Sequence, residues 1–575
     1  MQKIITYKLL IIYFLTLVIS TKVSADKPSD FIVTHANIYT VNDKQPWAEA
    51  MAVKDGKIIF VGNNQDALQY KNKNTLIKNM QRKMILPGFH DIHIHPVHGG
   101  VTHLQCNLNN IRKISELLTK IKSCVTDRTT NEWVVGGGWS IDIFSAENLP
   151  DKKLLDSITN TIPISLKSSD GHSLWVNSKA LEIAKINSGT LDPDNGKIER
   201  YITSDEPSGL LHEDSAMMLV MKHQPKLTSE ELVDGLRYAQ NLFHSYGITG
   251  VQDAILKLDP GDPYYGLDAY NFLESQDELQ LHIITAMFWK NGQPLEPQIE
   301  RFIETRKQQS ESALIHATSI KIWQDGVIET YTAAMLEAYS DREDNYRGEL
   351  QNSPDELNTA VTALDKEGFQ IHFHAIGDRA IKIAFDSLEK ALYYNGLRDS
   401  RHHISHIEVF REEDINRFKS LNVIANFQPL WGIRDEYITE HTHPKIGNER
   451  SQWLYPIGSV HRTGATIGFG SDWYVTSANP LDGIEAAVTR LEPNGLTTIP
   501  LGDNEEIDLA TAIKAYTLNG AYVNFLDKKV GSIEINKQAD FIVLDQNLFD
   551  IPYSEINETK VLETYFNGQL VYKKL

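Results

Sequence analysis

Eight short apolar runs in the middle of the chain constrain its fold more than any other feature. Gaps of roughly helix length separate most of them. The runs lie near positions 91–95, 248–253, 281–288, 318–325, 370–374, 402–406, 422–428 and 466–472. Strands that alternate with helices form parallel sheets, and eight such strands match a (β/α)8 barrel. The sequence therefore predicts an α/β protein with a TIM-like barrel at its centre, formed by residues 87–105 and 226–526.

The gap after the first apolar run is far too long for a single connecting helix. It spans residues 106–225 and is rich in Gly, Trp and turn-forming residues. Connections within α/β units are normally much shorter than this. We therefore expect residues 106–225 to form an inserted subdomain that covers the barrel mouth.

The two ends of the mature chain resemble each other. Asp55-Gly56 and Asn567-Gly568 each separate two short apolar strands, and both dipeptides favour the type I′ turn of a β-hairpin. Neither end is long enough to form a secure core alone. Residues 26–86 and 527–575 are therefore predicted to form one small β-sandwich domain together.

Residues 1–25 read as a secretory signal peptide. Lys3 and Lys8 precede or open an apolar run, and small residues follow it at Val23-Ser24-Ala25. An uncleaved anchor is the alternative, but the run is shorter than the roughly 20 residues of a membrane span. We expect cleavage, a periplasmic or secreted protein, and no stable membrane anchor afterwards.

The charge of the chain argues against nucleic acid as a partner. The formal net charge is −20, and loss of the three lysines in residues 1–25 would make it −23. Nucleic-acid binding requires a basic surface, which this composition does not supply. The two cysteines, Cys106 and Cys124, would be free to form a disulfide in an oxidising compartment. Two buried free thiols are an equally acceptable reading of the sequence.

The first barrel strand carries the sequence His90-Asp91-Ile92-His93-Ile94-His95. Alternate residues of a strand share a face, so Asp91, His93 and His95 are predicted to point one way. Two imidazoles on one face suit a metal that takes nitrogen ligands. Taken alone, however, such a pair is more often two ordinary histidines.

Later strands place further metal-binding side chains at their ends. Lys321 is predicted to point into the barrel, where a lysine is costly unless it is paired or modified. A salt bridge to Asp325 or Asp472 is the simpler explanation for it. His374 and His406 end the next two strands, and Asp472 ends the last. Barrel enzymes place their active sites at these strand ends.

Together, these motifs resemble the metal-dependent amidohydrolase superfamily. The similarity is to the amidohydrolase family 3 branch, which includes N-substituted formamide deformylases and YtcJ-like proteins. It covers nearly the whole mature chain. The matching segments are PGFHDIHIH, SDGHSLWVN, IKIWQDG, HAIGDRA, SHIE, GSDW and the closing KQAD.

The resemblance implies one or two divalent metal ions held by His93, His95, Lys321, His374, His406 and Asp472. In such sites a lysine carboxylated by CO₂ bridges the metals, and Lys321 matches that position. Zinc is the default for these ligands, with iron and manganese as alternatives. The metal would lower the pKa of a bound water to about 7. Asp472 would act as general base and then pass the proton to the departing nitrogen.

His172, Trp323 and Asp325 are the predicted substrate contacts. A structural histidine and a core tryptophan are the plainer readings of His172 and Trp323. The resulting hypothesis is an exported hydrolase that cleaves a non-peptide C–N bond in a small molecule, either a linear or an N-substituted amide. A deaminase, a cyclic amidase or an esterase could use the same metal site.

A non-catalytic binding protein is the alternative from a different class. A barrel that has lost its activity usually lacks ligands, whereas all six candidate positions here carry a competent residue. The resemblance is also compatible with a homodimer.

Overall fold

The computed structural model describes residues 29–575 except for residues 110, 127–131, 145–148, 261, 263, 494 and 496. The predicted signal peptide, residues 1–25, lies outside the described residues. Among the described residues, no helix combines the length and the apolar character that a membrane crossing requires.

The central unit is an eight-stranded parallel sheet in which every strand follows its predecessor in order. Its strands are β1 Phe89–Ile94, β2 Ile248–Leu256, β3 His282–Phe288, β4 Ile315–Trp323, β5 Gln370–Ala375, β6 His403–His406, β7 Ile424–Phe427 and β8 Ile467–Phe469. Beyond the last strand, Asp472 N donates to His93 O at 2.7 Å and His95 N donates to Trp473 O at 2.9 Å. These bonds draw the two edges of the sheet together, which confirms the predicted barrel.

Helices pack around this sheet, and their ends follow the capping chemistry of the sequence. Thr228 with Glu231 and Ser353 with Glu356 form capping boxes, which satisfy the free N–H groups of a first turn. The main helices of the barrel unit are Pro96–Leu104, Ser229–Ser245, Leu267–Ser275, Leu295–Gln308, Pro354–Lys366, Asp378–Asn395, Ile415–Ser420, His443–Ser451, Ile457–Arg462, Pro480–Thr489, Leu509–Tyr516 and Leu518–Val523. Their apolar faces bury the outward side chains of the strands in one large core.

Both chain ends contribute to a pair of β-sheets. The four-stranded sheet contains Phe31–Thr34, Ala50–Lys54, Lys57–Gly62 and Leu76–Asn79, and the short helix Asn64–Ala67 follows its third strand. The six-stranded sheet contains Asn37–Tyr39, Trp47–Ala48, Met84–Pro87, Phe541–Leu544, Val561–Phe566 and Gln569–Lys573. Strand Phe541–Leu544 pairs antiparallel with Met84–Pro87, so the two ends share one sheet.

The turns of these sheets have the predicted conformation. Asp55 and Gly56 have φ of 48° and 74°, and Asn567 and Gly568 have φ of 49° and 74°. Positive φ at both central residues defines the type I′ turn that Asp-Gly and Asn-Gly favour.

The insertion has its own six-stranded sheet and helices. The strands are Cys106–Asn107, Val134–Trp139, Ile164–Ser168, Ser173–Val176, Lys197–Arg200 and Pro207–His212. The helices are Ile114–Val125, Lys152–Asp156, Ser178–Ala184 and Glu213–Met221. A disulfide joins Cys106 to Cys124, which decides between the two readings that the sequence left open. The residue boundaries predicted for the three units and the signal peptide stay predictions.

Candidate metal centre

The end of β1 brings two histidines to the carboxyl-terminal end of the barrel. His93 is 1% exposed and His95 is 8% exposed. Asp472 Oδ1 lies 2.9 Å from His95 Nε2 and 3.6 Å from His93 Nε2. The three side chains offer two ring nitrogens and one carboxylate oxygen, all within 4.8 Å of one another.

Asp91 does not join these residues in the pocket, although the alternation of β1 predicts that it shares their face. Its carboxylate accepts hydrogen bonds from His93 N and from Ser471 N, both at 3.0 Å. It therefore lies at the seam between the first and last strands. Burial raises the pKa of Asp91 to about 7, although these hydrogen bonds oppose the shift. The hydrogen bonds that Asp91 accepts from His93 N and Ser471 N hold the backbone segments that carry His93 and Asp472.

Lys321 projects from β4 into the same space and is 1% exposed. Its Nζ lies 3.4 Å from His93 Nε2. The sequence offered a salt bridge to Asp325 or Asp472 as the simpler explanation for a buried Lys321. Within the described chain, Lys321 makes neither of these ion pairs. Burial lowers the pKa of Lys321 to about 7, and the charge of Asp472 only partly opposes this. A large fraction of Lys321 is therefore neutral near pH 7, and the neutral amine is the form that reacts with CO₂.

His374 and His406 lie beside this group, on β5 and β6. Their rings are 4.5 Å apart, and the His406 ring is 4.7 Å from that of His93. Burial, followed by the charge of Lys321, holds the pKa of His374 well below its usual range. Burial and the neighbouring His374 do the same for His406. Both are therefore neutral imidazoles, which is the form that binds metals.

His406 and Asp472 also share an uncommon backbone conformation. Their φ angles are 78° and 54°, in the left-handed region that few residues other than glycine adopt. Such conformations concentrate at functional sites, where the surrounding structure compensates for them. Both side chains are thereby turned towards the carboxyl ends of the strands.

The donor set fits a divalent cation. His406 Nδ1 is buried and has no hydrogen-bond partner in the described part of the chain. Asp472 Oδ1 also lacks a hydrogen bond, because its close approach to His95 Nε2 does not have hydrogen-bond geometry. Neutral imidazoles and a carboxylate that converge without satisfying one another are the ligands that zinc prefers.

A pocket opens above these residues. Aromatic and aliphatic side chains form much of its wall. The lining residues are His93, His95, Asp170, Gly171, His172, Ile255, Tyr264, Lys321, Trp323, His374, His406, Trp431, Asp472, Tyr474 and Val475. Five of the six predicted ligands come from the carboxyl ends of β1, β4, β5 and β6, and Asp472 follows β8. All six predicted ligands therefore line one pocket.

His172 comes from the insertion and faces this pocket. Its Nδ1 lies 3.0 Å from Glu213 Oε2, and its ring is 5.8 Å from that of His374. Burial alone would lower the pKa of His172, but the Glu213 carboxylate outweighs it and raises the pKa to about 9. Glu213 is in turn held by Thr332 Oγ1 at 2.6 Å. The insertion thus places a cationic side chain beside the candidate metal ligands.

The other two predicted substrate contacts lie in different surroundings. Trp323 lines the pocket, with its ring 6.3 Å from that of His172. Asp325 does not line it. Its carboxylate accepts hydrogen bonds from the backbone N–H groups of Ala334, Ile376 and Gly377 at 2.8–3.0 Å. Asp325 therefore holds the loops that follow β4 and β5.

The sequence did not identify several residues of the pocket wall. Tyr264 and Ile255 end β2 or follow it, and Tyr474 and Val475 follow Asp472. The rule that strand ends line the site would have found Ile255, Tyr474 and Val475, but not Tyr264, which lies eight residues beyond the end of β2. Trp473 lies outside the pocket: its ring packs against that of Phe243, with centroids 5.2 Å apart. Its bulk therefore fills the space behind the barrel mouth.

Known proteins resemble this chain over most of its length. The model of the amidohydrolase family matches residues 81–572. This chain belongs to the amidohydrolase family. Among its relatives, the protein LONG AFTER FAR-RED 3 of Arabidopsis thaliana is 32% identical over 551 residues, which are 95% of this chain and 92% of that protein.

A further relative and a solved structure are also similar to this chain. The N-substituted formamide deformylase of Arthrobacter pascens is 24% identical over 552 residues, covering 95% of this chain and 98% of that enzyme. The crystal structure of an uncharacterized metal-dependent hydrolase from Pyrococcus horikoshii superposes with a TM-score of 0.70 at 22% identity. It covers 91% of this chain and 99% of that chain. These similarities confirm the family and the fold that the sequence motifs predict.

Proposed function

We propose that this amidohydrolase is an exported enzyme that hydrolyses a non-peptide C–N bond in a linear or N-substituted amide. One observation carries the proposal. His93, His95, Lys321, His374, His406 and Asp472 come from five separate strand ends, and all line one pocket. The similarity to N-substituted formamide deformylase supports the choice of amide over other substrates.

In the proposed reaction, water adds to the amide carbonyl carbon, the C–N bond breaks, and a carboxylic acid and an amine leave. A bound divalent ion, for which zinc suits the ligands, supplies Lewis acidity and a water of pKa about 7. The Asp472 carboxylate receives the proton of the attacking water and delivers it to the departing nitrogen. Its place 2.9 Å from His95 Nε2 keeps it at the reacting centre.

The pocket walls define the part of the substrate that does not react. Trp323, Trp431, Tyr264 and Tyr474 contribute aromatic side chains to the wall. His172 is fixed by Glu213 at one side, where it can donate a hydrogen bond to a substrate carbonyl oxygen. This arrangement suits an amide with a hydrophobic or aromatic substituent on nitrogen.

Export is part of the proposal and rests on two independent features. The first is the signal-like segment at residues 1–25. The second is the disulfide between Cys106 and Cys124, since structural disulfides are typical of oxidising compartments. Sizing the secreted protein by mass spectrometry would test it, with cleavage after Ala25 expected.

The activity is tested on the purified mature protein loaded with zinc or manganese. N-formyl and N-acyl amines form the main panel, with cyclic amides, aminated heterocycles and esters as competing classes. Release of amine, with at least one equivalent of metal per chain, is the expected result. His93→Ala and His95→Ala should abolish both metal binding and turnover. The remote variant His244→Phe should retain both. A metal-free, folded wild-type protein would contradict the proposal.

A further inference from the structure

His93 presents its two ring nitrogens to different surroundings. Nε2 faces the candidate metal centre, 3.4 Å from Lys321 Nζ and 3.6 Å from Asp472 Oδ1. Nδ1 points away from it, into the barrel, and lies 2.9 Å from His372 Nε2. The interior neighbour of His93 is therefore a second imidazole, where a carboxylate or a carbonyl oxygen is the usual partner of a metal-binding histidine.

This contact restricts the tautomer of His93. An imidazole that binds a metal through Nε2 must carry its proton on Nδ1. That proton can be donated only if His372 Nε2 offers a lone pair. If His372 instead carried its proton on Nε2, it would donate to His93 Nδ1 and move the His93 proton to Nε2. The metal-binding nitrogen would then be blocked.

Ser405 lies next to this contact. Its Oγ is 2.9 Å from His372 Nε2, on the neighbouring strand β6. A neutral imidazole nitrogen has one lone pair, so a Ser405 hydroxyl that donated to Nε2 would compete with His93 for the same acceptor. Both His372 and Ser405 are completely buried, so bulk water does not compete for these bonds.

The ring of His372 is also held from its other side. The His403 ring lies 4.1 Å away, and His403 Nδ1 is 3.2 Å from Asn426 Nδ2. His372 and His403 are direct neighbours in the register of β5 and β6. The His372 ring, which is the acceptor, is therefore packed among side chains of the adjacent strands β5, β6 and β7 and has little freedom to rotate.

We propose that His372 is a positioning residue, which accepts the Nδ1 proton of His93, fixes the tautomer and ring orientation of His93 and so sets the metal affinity of the site. It does not touch the metal or the substrate. This inference rests on the proposed metal site. Partners of metal ligands typically change metal affinity by 10–100-fold when they are replaced.

The test measures zinc affinity of the purified protein by competition with a chelator, alongside thermal unfolding. His372→Phe keeps a ring of similar size but no acceptor, and should weaken zinc binding about 10–100-fold. His372→Gln places an amide oxygen near the position of Nε2 and should recover affinity to within about fivefold of wild type. His244→Phe removes a buried histidine that bonds to Gln280 O, and should lower stability without changing zinc affinity.

The outcomes separate this inference from the proposed function. If wild-type protein binds no zinc, the proposed function fails. If wild type binds zinc and a folded His372→Phe binds it within threefold as tightly, only the role of His372 is overturned. Equal losses in the Phe and Gln variants would also overturn it, because packing would then explain them. If His372→Phe does not fold, His372→Leu, which also lacks an acceptor, decides: a loss of about threefold or more supports the inference, and a smaller change refutes it.

Discussion

Replacing Asp472 with asparagine separates its proton-transfer role from its structural role. Asparagine has nearly the same shape, and it tolerates the left-handed φ of 54° at this position better than most residues do. The backbone N–H of residue 472 would still donate to His93 O, which is 2.7 Å away. What changes is the charge and the ability of the side chain to accept a proton.

The structure sets the size of the expected loss. General acid–base catalysis by one positioned group contributes about 10²–10⁴-fold. At about 1.4 kcal/mol for each factor of ten, the barrier should rise by about 3–5 kcal/mol. Only 7% of the Asp472 side chain is exposed, so bulk water cannot take over the proton transfer efficiently. Metal content should stay within twofold of wild type, since the imidazoles of His93, His95, His374 and His406 remain.

The assay compares kcat with metal per chain for Asp472→Asn and for Asp540→Asn. Asp540 is the matched control: it is a buried carboxylate whose Oδ2 lies 2.8 Å from His282 Nε2, at the amino-terminal end of β3. The control should lose stability and keep its kcat. Wild-type turnover by a metal-loaded Asp472→Asn would refute the assigned role. Loss of metal and activity together would show that Asp472 acts mainly as a ligand.

Three further perturbations follow from the same structure. Lys321→Ala should lower the metal content per chain and the turnover at least tenfold. If a carboxylated lysine bridges the metals, added acetate should restore part of both. Elemental analysis and rate assays test this. Replacing Cys106 and Cys124 together by serine should lower the free energy of unfolding by about 3 kcal/mol for a loop of 18 residues, measured in urea. The pKa of His172 is raised from 6.5 to about 9, so the stability it gains from Glu213 is complete below pH 6.5 and is lost as the pH rises through about 9. Glu213→Gln should flatten that dependence, by on the order of 3 kcal/mol at most, in unfolding curves at several pH values.

The sequence predicts the barrel well because each strand is a local signal. The apolar run predicted at 318–325 corresponds to β4, Ile315–Trp323, and the run at 370–374 corresponds to β5, Gln370–Ala375. Burial on both faces of a parallel sheet requires such continuous apolar segments. Each candidate ligand lies at or just after the end of a strand, and the family resemblance indicated which of these residues form the ligand set.

Contacts that cross between strands were harder to predict. Asp91 was expected to point the same way as His93, because ideal alternation places residues two apart on one face. The pairing of β1 with β2 shifts register between Val251 and Asp253. Such an irregularity bends and twists the strand locally. Asp91 consequently meets Ser471 across the seam, about 380 positions along the chain, and no local pattern encodes that meeting.

The two halves of the site therefore differ in how far a sequence determines them. The half that holds the predicted ligands is built from strand ends of one sheet, so their positions follow from the order of the strands. The other half includes a residue of the insertion: His172 lines the pocket, and Glu213, 41 residues further on, contacts its ring. A change in the insertion could move His172 while leaving every predicted ligand in place. Under the proposed function, proteins that share these ligands could differ in the amide they accept through such changes, and also through changes in the barrel side chains that line the pocket.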